Sequence, residues 1–347
     1  MKNLSITRKF TCAIFLLITS FNSFAQTDTI RPVHIGLTYP VSSNGLKAAQ
    51  YTNRFSLHAI AGLSKNETAL TIAGAANIIK QDARGVQIAG LLNAIGNSAS
   101  GTQIAGFANI IRKDASGAQI AGFLNLSGSS EAVQVAGFSN ITGNSKGLQV
   151  AGFLNKSKNA NAQVAGFMNI AKNVKGVQVA GFMNIADSSD YPVALINFIK
   201  NGEKSVGISV DESLTSITTF RSGGRVLYGI VGVGYNFNDG DKSFYALEAG
   251  LGAHIPVVRN FRVNAEIVNQ TLSDFKKGDY LKNTIRILPA CRLGNRLEIF
   301  AGPTVNYVRY SQDKGFDFID DYIWSKNGSR NFQGIFVGFN AGIQVKI

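Results

Sequence analysis

The sequence predicts an all-β protein, and three observations carry that expectation. A unit reading G-x-Q-[IV]-A-G-F-x-N-I recurs in tandem between residues 67 and 200. The last third of the chain alternates apolar and polar side chains over six long runs. No stretch approaches the ~20 continuous apolar residues of a membrane-spanning helix. The preferred architecture is an antiparallel outer-membrane barrel with about one strand per 14–16-residue repeat. The alternative makes residues 67–200 a β-solenoid and leaves a smaller C-terminal barrel.

The repeat comes first. Its glutamines are Gln87, Gln103, Gln119, Gln134, Gln149, Gln163 and Gln178, and its asparagines Asn93, Asn109, Asn125, Asn140, Asn155, Asn169 and Asn184. Each unit is an apolar run closed by a polar loop such as Arg112-Lys-Asp-Ala-Ser-Gly117. The run is short for a helix, and Gly, Asn, Ser and Asp at its ends favour turns. Period-two alternation places Gln103, Ala105, Phe107 and Asn109 on one face and Ile104, Gly106, Ala108 and Ile110 on the other. Either a barrel strand with its amides toward the lumen or a solenoid coil with stacked asparagines satisfies this pattern.

The N-terminus reads as a secretory signal over residues 1–25. Lys2, Arg8 and Lys9 precede the apolar stretch Phe10 to Phe21, and Ser23-Phe-Ala25 supplies a small-x-small cleavage site. Cleavage removes three basic residues and no acidic one, so the net charge falls from +13 to +10. The basic residues are dispersed through loops without interleaved aromatics, which argues against nucleic acid. Anionic outer-membrane lipid and lipopolysaccharide are the expected partners. Cys12 leaves with the signal, so Cys291 has no intramolecular partner and reads as a small apolar strand residue. Two strands are expected at Val33–Pro40 and Arg54–Ser64, and short ones at Val206–Val210 and Thr215–Arg221.

In the last third, strands are expected at Arg225–Tyr235, Ser243–His254, Asn260–Gln270, Asn283–Arg292, Arg296–Arg309 and Phe332–Ile347. Their connections alternate between tight (Ser222-Gly-Gly224, Leu293-Gly-Asn295) and long (Thr271–Lys282, Tyr310–Asn331). Short turns at one rim and long loops at the other are the outer-membrane arrangement. Counting one strand per repeat across 26–347 gives 19, an odd number for a barrel whose ends share one side.

The tandem G-x-Q-x-A-G-F-x-N units, followed by Ser222-Gly-Gly-Arg-Val-Leu-Tyr-Gly-Ile230, resemble the surface-repeat proteins of Gram-negative and spirochaete bacteria. The resemblance spans about residues 60 to 255 and implies an outer-membrane location without implying an activity.

Few residues point to chemistry. His34, His58 and His254 have no ligand spacing, and no P-loop, nucleophile elbow or dinucleotide fingerprint occurs. No catalytic residue, metal or cofactor is expected. The asparagine triplets at Asn125, Asn140 and Asn155 match a glycosylation pattern only because a loop serine or threonine follows the repeat. If the barrel reading holds, the repeat glutamines line the lumen together with Glu248, Glu266 and Glu298, which share that face with Arg262, Arg286 and Arg292. Charges on a lipid face would cost ~2–4 kcal/mol at mid-depth, so they should face inward and pair. The loop Tyr310–Asn331, with Asp317, Asp320, Asp321, Tyr322 and Trp324, is the candidate surface site for a glycan or protein. The expected function is a non-enzymatic surface or structural barrel displaying loops; the alternative is a passive or selective pore lined by repeat amides.

Overall fold

The computed structural model describes residues 29–237, 244–275, 279–311, 316, 318–319, 321–328 and 330–347. The signal-like segment 1–25 lies outside them. The chain builds two different β architectures: a parallel solenoid of about ten turns, then a closed eight-stranded antiparallel barrel.

Each repeat closes one coil. Ala99–Ala105 and the following run from Ala108 are two short strands hinged at Gly106-Phe107. Ala99–Ala105 pairs in parallel with the equivalent strands before and after it, so Gln87, Gln103 and Gln119 fall in one row. Asn93, Asn109 and Asn125 form a second row. This corrects the preferred reading: the repeats are parallel coils of a separate solenoid, the stated alternative, and not antiparallel barrel strands. Local alternation is the same in both, whereas only the hinge lets the chain return and stack on itself. Alternation placed Gln103, Ala105 and Asn109 inward correctly, but the corner turns Phe107 out and Ala108 in. Glycine is required at that corner, because a Cβ on Gly106 would lie 2.0 Å from the Gly90 carbonyl oxygen. The interior is too thin for bulky residues; alanines alternate with isoleucines, as in Ala83, Ala99, Ala115 and Ile79, Ile95, Ile111.

The N-terminal end is finished by Ile30–Thr38, which stacks on Thr52–His58. Val41–Ser42 folds back on it antiparallel, and a 3-10 turn follows at Gly45–Gln50.

The barrel strands are Glu203–Asp211, Thr215–Gly223, Leu227–Asn236, Phe244–Val258, Phe261–Ser273, Asp279–Leu293, Leu297–Ser311 and Asn331–Lys346. Closure comes from the first pairing with the last, Ser205 opposite Lys346 through Asp211 opposite Asn340. The count of 19 strands for one barrel is therefore replaced by eight, and the even number follows. Every strand expected in the last third is present, most of them longer by a few residues. The barrel is inverted relative to a soluble sheet: Ile208, Leu247, Ile267, Ile285 and Val337 are exposed on its outside, while Glu248, Glu266, Lys282 and Arg286 are buried within.

Candidate functional site

Three layers fill the barrel interior. At the long-loop end, Phe316 and Phe318 fold inward from the connection before the last strand. They pack with Phe244, Leu272, Tyr280, Val308 and Phe336 into an apolar plug. At mid-height, Arg286 pairs with Glu248 at 2.6 Å and Glu266 at 3.5 Å, and Arg221 reaches Glu266 at 2.8 Å. Lys282 meets Asp211 at 2.9 Å beside them. Toward the short-turn rim, Arg262 bridges Glu298 at 2.9 Å and Glu203 at 2.7 Å. Arg292 adds weaker contacts to the same two carboxylates.

These ion pairs need one another. An unpaired buried charge costs several kcal/mol, so each carboxylate is matched by a cation across the lumen rather than along its own strand. Arg286 is 1% exposed and Glu248 4%, so both are shielded from bulk solvent. The expected inward set of Glu248, Arg262, Glu266, Arg286, Glu298 and Arg292 is thus brought together. Sequence reading missed Arg221, Lys282, Asp211 and Glu203. The parity of Thr219 and Arg221 on one strand would have found the first, and starting the Asn283 strand a turn earlier would have found Lys282.

The repeat glutamines line no barrel lumen; they are the dry core of the solenoid. Gln87, Gln103, Gln119, Gln134, Gln149, Gln163 and Gln178 are wholly buried. Gln134, Gln149, Gln163 and Gln178 each donate from Nε2 to the preceding glutamine's Oε1, at 2.7, 2.9, 2.9 and 3.1 Å. The asparagines run the other way: each Nδ2 from Asn77 to Asn184 donates to the next Oδ1 at 2.8–3.0 Å. Their burial in this ladder leaves Asn125, Asn140 and Asn155 inaccessible to glycosylation. Outside, Phe107, Phe123, Phe138, Phe153, Phe167 and Phe182 stack at 4.7–5.1 Å between ring centroids.

The last coil docks end-on against the barrel wall. Asn197 donates from its backbone N–H to Ser222 Oγ and from Nδ2 to the Ser222 carbonyl, ending the ladder on the barrel. The carbonyls of Ala194 and Leu195 lie 2.1 Å from where a Cβ of Gly229 would stand, so only glycine admits them.

The opposite end of the solenoid buries a polar cluster. His34 Nε2 is 3.0 Å from Ser42 Oγ, and Asn53 Nδ2 lies 3.3 Å from His34 Nδ1 and donates to Glu67. Ser56 also donates to Glu67, and the His58 ring stands edge-on to His34 at 4.4 Å. Burial, then the neighbouring His58, lowers the His34 pKa to about 4; burial lowers His58 and raises Glu67. Along the solenoid's polar edge runs a groove of about 1340 Å³ lined by Asp82, Arg84, Ser100, Asp114, Ser116 and residues equivalent to them in later coils.

In the candidate surface loop, Asp317 and Asp320 lie outside the described residues. Asp321 and Trp324 are exposed, and Trp324–Asn327 pairs with the start of the last strand. Tyr322 instead turns inward against Phe332 and Phe336. Cys291 is exposed on the outer wall. No group of three or more metal-ligating side chains is found among the described residues. Compared with known proteins, the chain matches no family model, no curated protein and no solved structure.

Proposed function

We propose that the chain is a non-enzymatic outer-membrane protein whose closed barrel anchors it in lipid and whose exposed surfaces carry its interactions. The observation that carries this reading is the inversion of the barrel. Ile208, Leu247, Ile267, Ile285 and Val337 form an exposed apolar belt too large for a soluble monomer, while every interior charge among the described residues is paired. Tyr235, Tyr245 and Phe275 cluster at the long-loop end, as an interfacial aromatic girdle requires. Export through the signal-like segment 1–25 fits the same reading. By the usual disposition of such barrels, the long loops face outside and the short turns, with the solenoid, face the periplasm.

A pore is the competing reading. The Phe316–Phe318 plug and the buried Arg286–Glu248 layer support a closed barrel instead. Planar-bilayer recording of the full chain tests this directly. A closed anchor inserts without stepwise conductance; discrete channel steps would establish the pore.

A further inference from the structure

The solenoid carries an apolar edge that none of the described residues covers. Its corner column holds the six stacked phenylalanines, with Leu91 before them and Leu195 after. On one side runs a column of isoleucine and valine from Ile72 to Val193, and on the other a column from Leu63 to Phe198 in which Lys156 is the sole charge. Phe107, Phe123 and Ile120 are each 40% exposed or more. At ~4.8 Å per coil this stripe is about 40 Å long. Between residues 29 and 200 there are 14 Lys and Arg against 6 Asp and Glu. Arg84, Lys146 and Lys175 line the polar groove, whereas Lys80 and Arg112 flank the stripe beside Ile78 and Ile110.

The junction fixes which way the stripe faces. Carbonyls of earlier coils, such as that of Leu91, accept from the next coil along the solenoid axis. In the last coil those carbonyls point into Gly229 on the outer barrel wall, so the tube meets the wall end-on and runs sideways from it. Pro192 abuts Gly224 in the short turn, whereas Leu195 abuts Gly229, further up the wall. Phe198 then approaches Phe220 on the outer face, at 6.2 Å between rings. The corner therefore points away from the rim and toward the barrel's apolar belt. Gly229 is two residues beyond Leu227, about 7 Å at ~3.4 Å per residue, within the ~5–10 Å depth of interfacial helices.

From this geometry we infer that the solenoid lies along the inner surface of the same membrane, with its phenylalanine corner seated in the headgroup region and its polar groove turned to water. The inference rests on the barrel being membrane-embedded. The occupant is lipid because the stripe is continuous with the barrel belt at Phe198–Phe220 and points the same way. A second copy of the chain would have to cover it without occupying the lipid that already surrounds that wall.

The test uses the full chain with Cys291→Ala, reconstituted in phosphatidylethanolamine–phosphatidylglycerol vesicles containing brominated acyl chains. A fluorophore is placed singly at Ile285→Cys on the barrel belt, Phe138→Cys on the corner, or Ser116→Cys in the groove. The expected result is strong quenching at 285, intermediate quenching at 138 and none at 116. Quenching at 285 with none at 138 overturns the inference and leaves the barrel reading standing. Absence of quenching at 285 overturns both. Disulfide-linked dimers of Phe138→Cys in vesicles, with 138 unquenched, would assign the stripe to a second copy and also overturn it.

Discussion

The solenoid and the barrel both bury polar side chains inside a tube of strands, yet they bury opposite kinds. The solenoid stacks neutral amides, and the barrel packs arginine against glutamate. The reason is symmetry. In a parallel coil the neighbour of each residue is its own equivalent one repeat away, as Gln134 is to Gln149. Only a side chain that both donates and accepts can satisfy itself in such a row, and a row of charges would repel. Asparagine and glutamine meet that condition, while phenylalanine, with no polar group to satisfy, simply stacks on its own equivalent. In the antiparallel barrel the neighbours differ, Glu266 facing Arg286, so complementary charges can be matched. The buried carboxylate of the solenoid coils, Glu67, occurs where repetition breaks down near the end and Asn53 and Ser56 take the place of the amide rows.

That contrast can be broken from the barrel side first. Arg286→Met leaves Glu248 and Glu266 short of a cation in a buried layer and should cost ~3–5 kcal/mol. Urea unfolding in detergent would read it, and adding Glu248→Gln should recover part of the loss. Ile285→Arg on the outer belt should cost ~2–4 kcal/mol of membrane stability if lipid surrounds it. A change near zero would mean that water does.

From the solenoid side, Asn140→Ala removes the amide that accepts from Asn125 and donates to Asn155 and the Val150 carbonyl. Each orphaned partner costs ~1–3 kcal/mol. Hydrogen exchange should rise in the coils around 125–155 and leave the barrel strands unchanged, since each coil leans only on its neighbours.

The smallest effect is one of pH. His34 has its pKa lowered to about 4 in the folded chain, against an ordinary 6.5, so the folded state holds fewer protons between these values. Its contribution is complete above pH 6.5 and is lost as pH falls toward 4. Glu67, raised by burial, acts in the opposite sense. Acidification should therefore loosen the first coils while the later ones hold, and Glu67→Gln should make the loss steeper. Equal exchange in all coils at pH 4.5 would contradict this.

Much of the fold was legible in the residues. Turn composition and alternation placed all six strands of the last third and the inward parity of Glu248, Glu266 and Glu298. The direction of pairing in the repeats was not, because alternation is a property of one strand and is blind to its neighbour's polarity. The large apolar Phe107 on the amide-bearing face was the local sign of a corner, and it was read as part of the strand. Phe316 and Phe318 were missed as a plug because a loop mixing aromatics with aspartates reads as a surface site; only the barrel mouth makes a place for them. In the same loop Tyr322 turns inward against Phe332 and Phe336, while Asp321 and Trp324 stay exposed.

The central claim, a parallel solenoid beside a closed barrel, is tested most directly by distances between equivalent repeat positions. Spin-label pairs in the Cys291→Ala chain would join Arg84 to Ser100, to Ser116, to Glu131 and to Lys175. In the solenoid the separation grows steadily, by ~4.8 Å per coil, to about 29 Å at Lys175. In an antiparallel barrel with one strand per repeat, equivalent positions in successive repeats fall at opposite rims. Distances that alternate between short and long with each repeat would contradict the account.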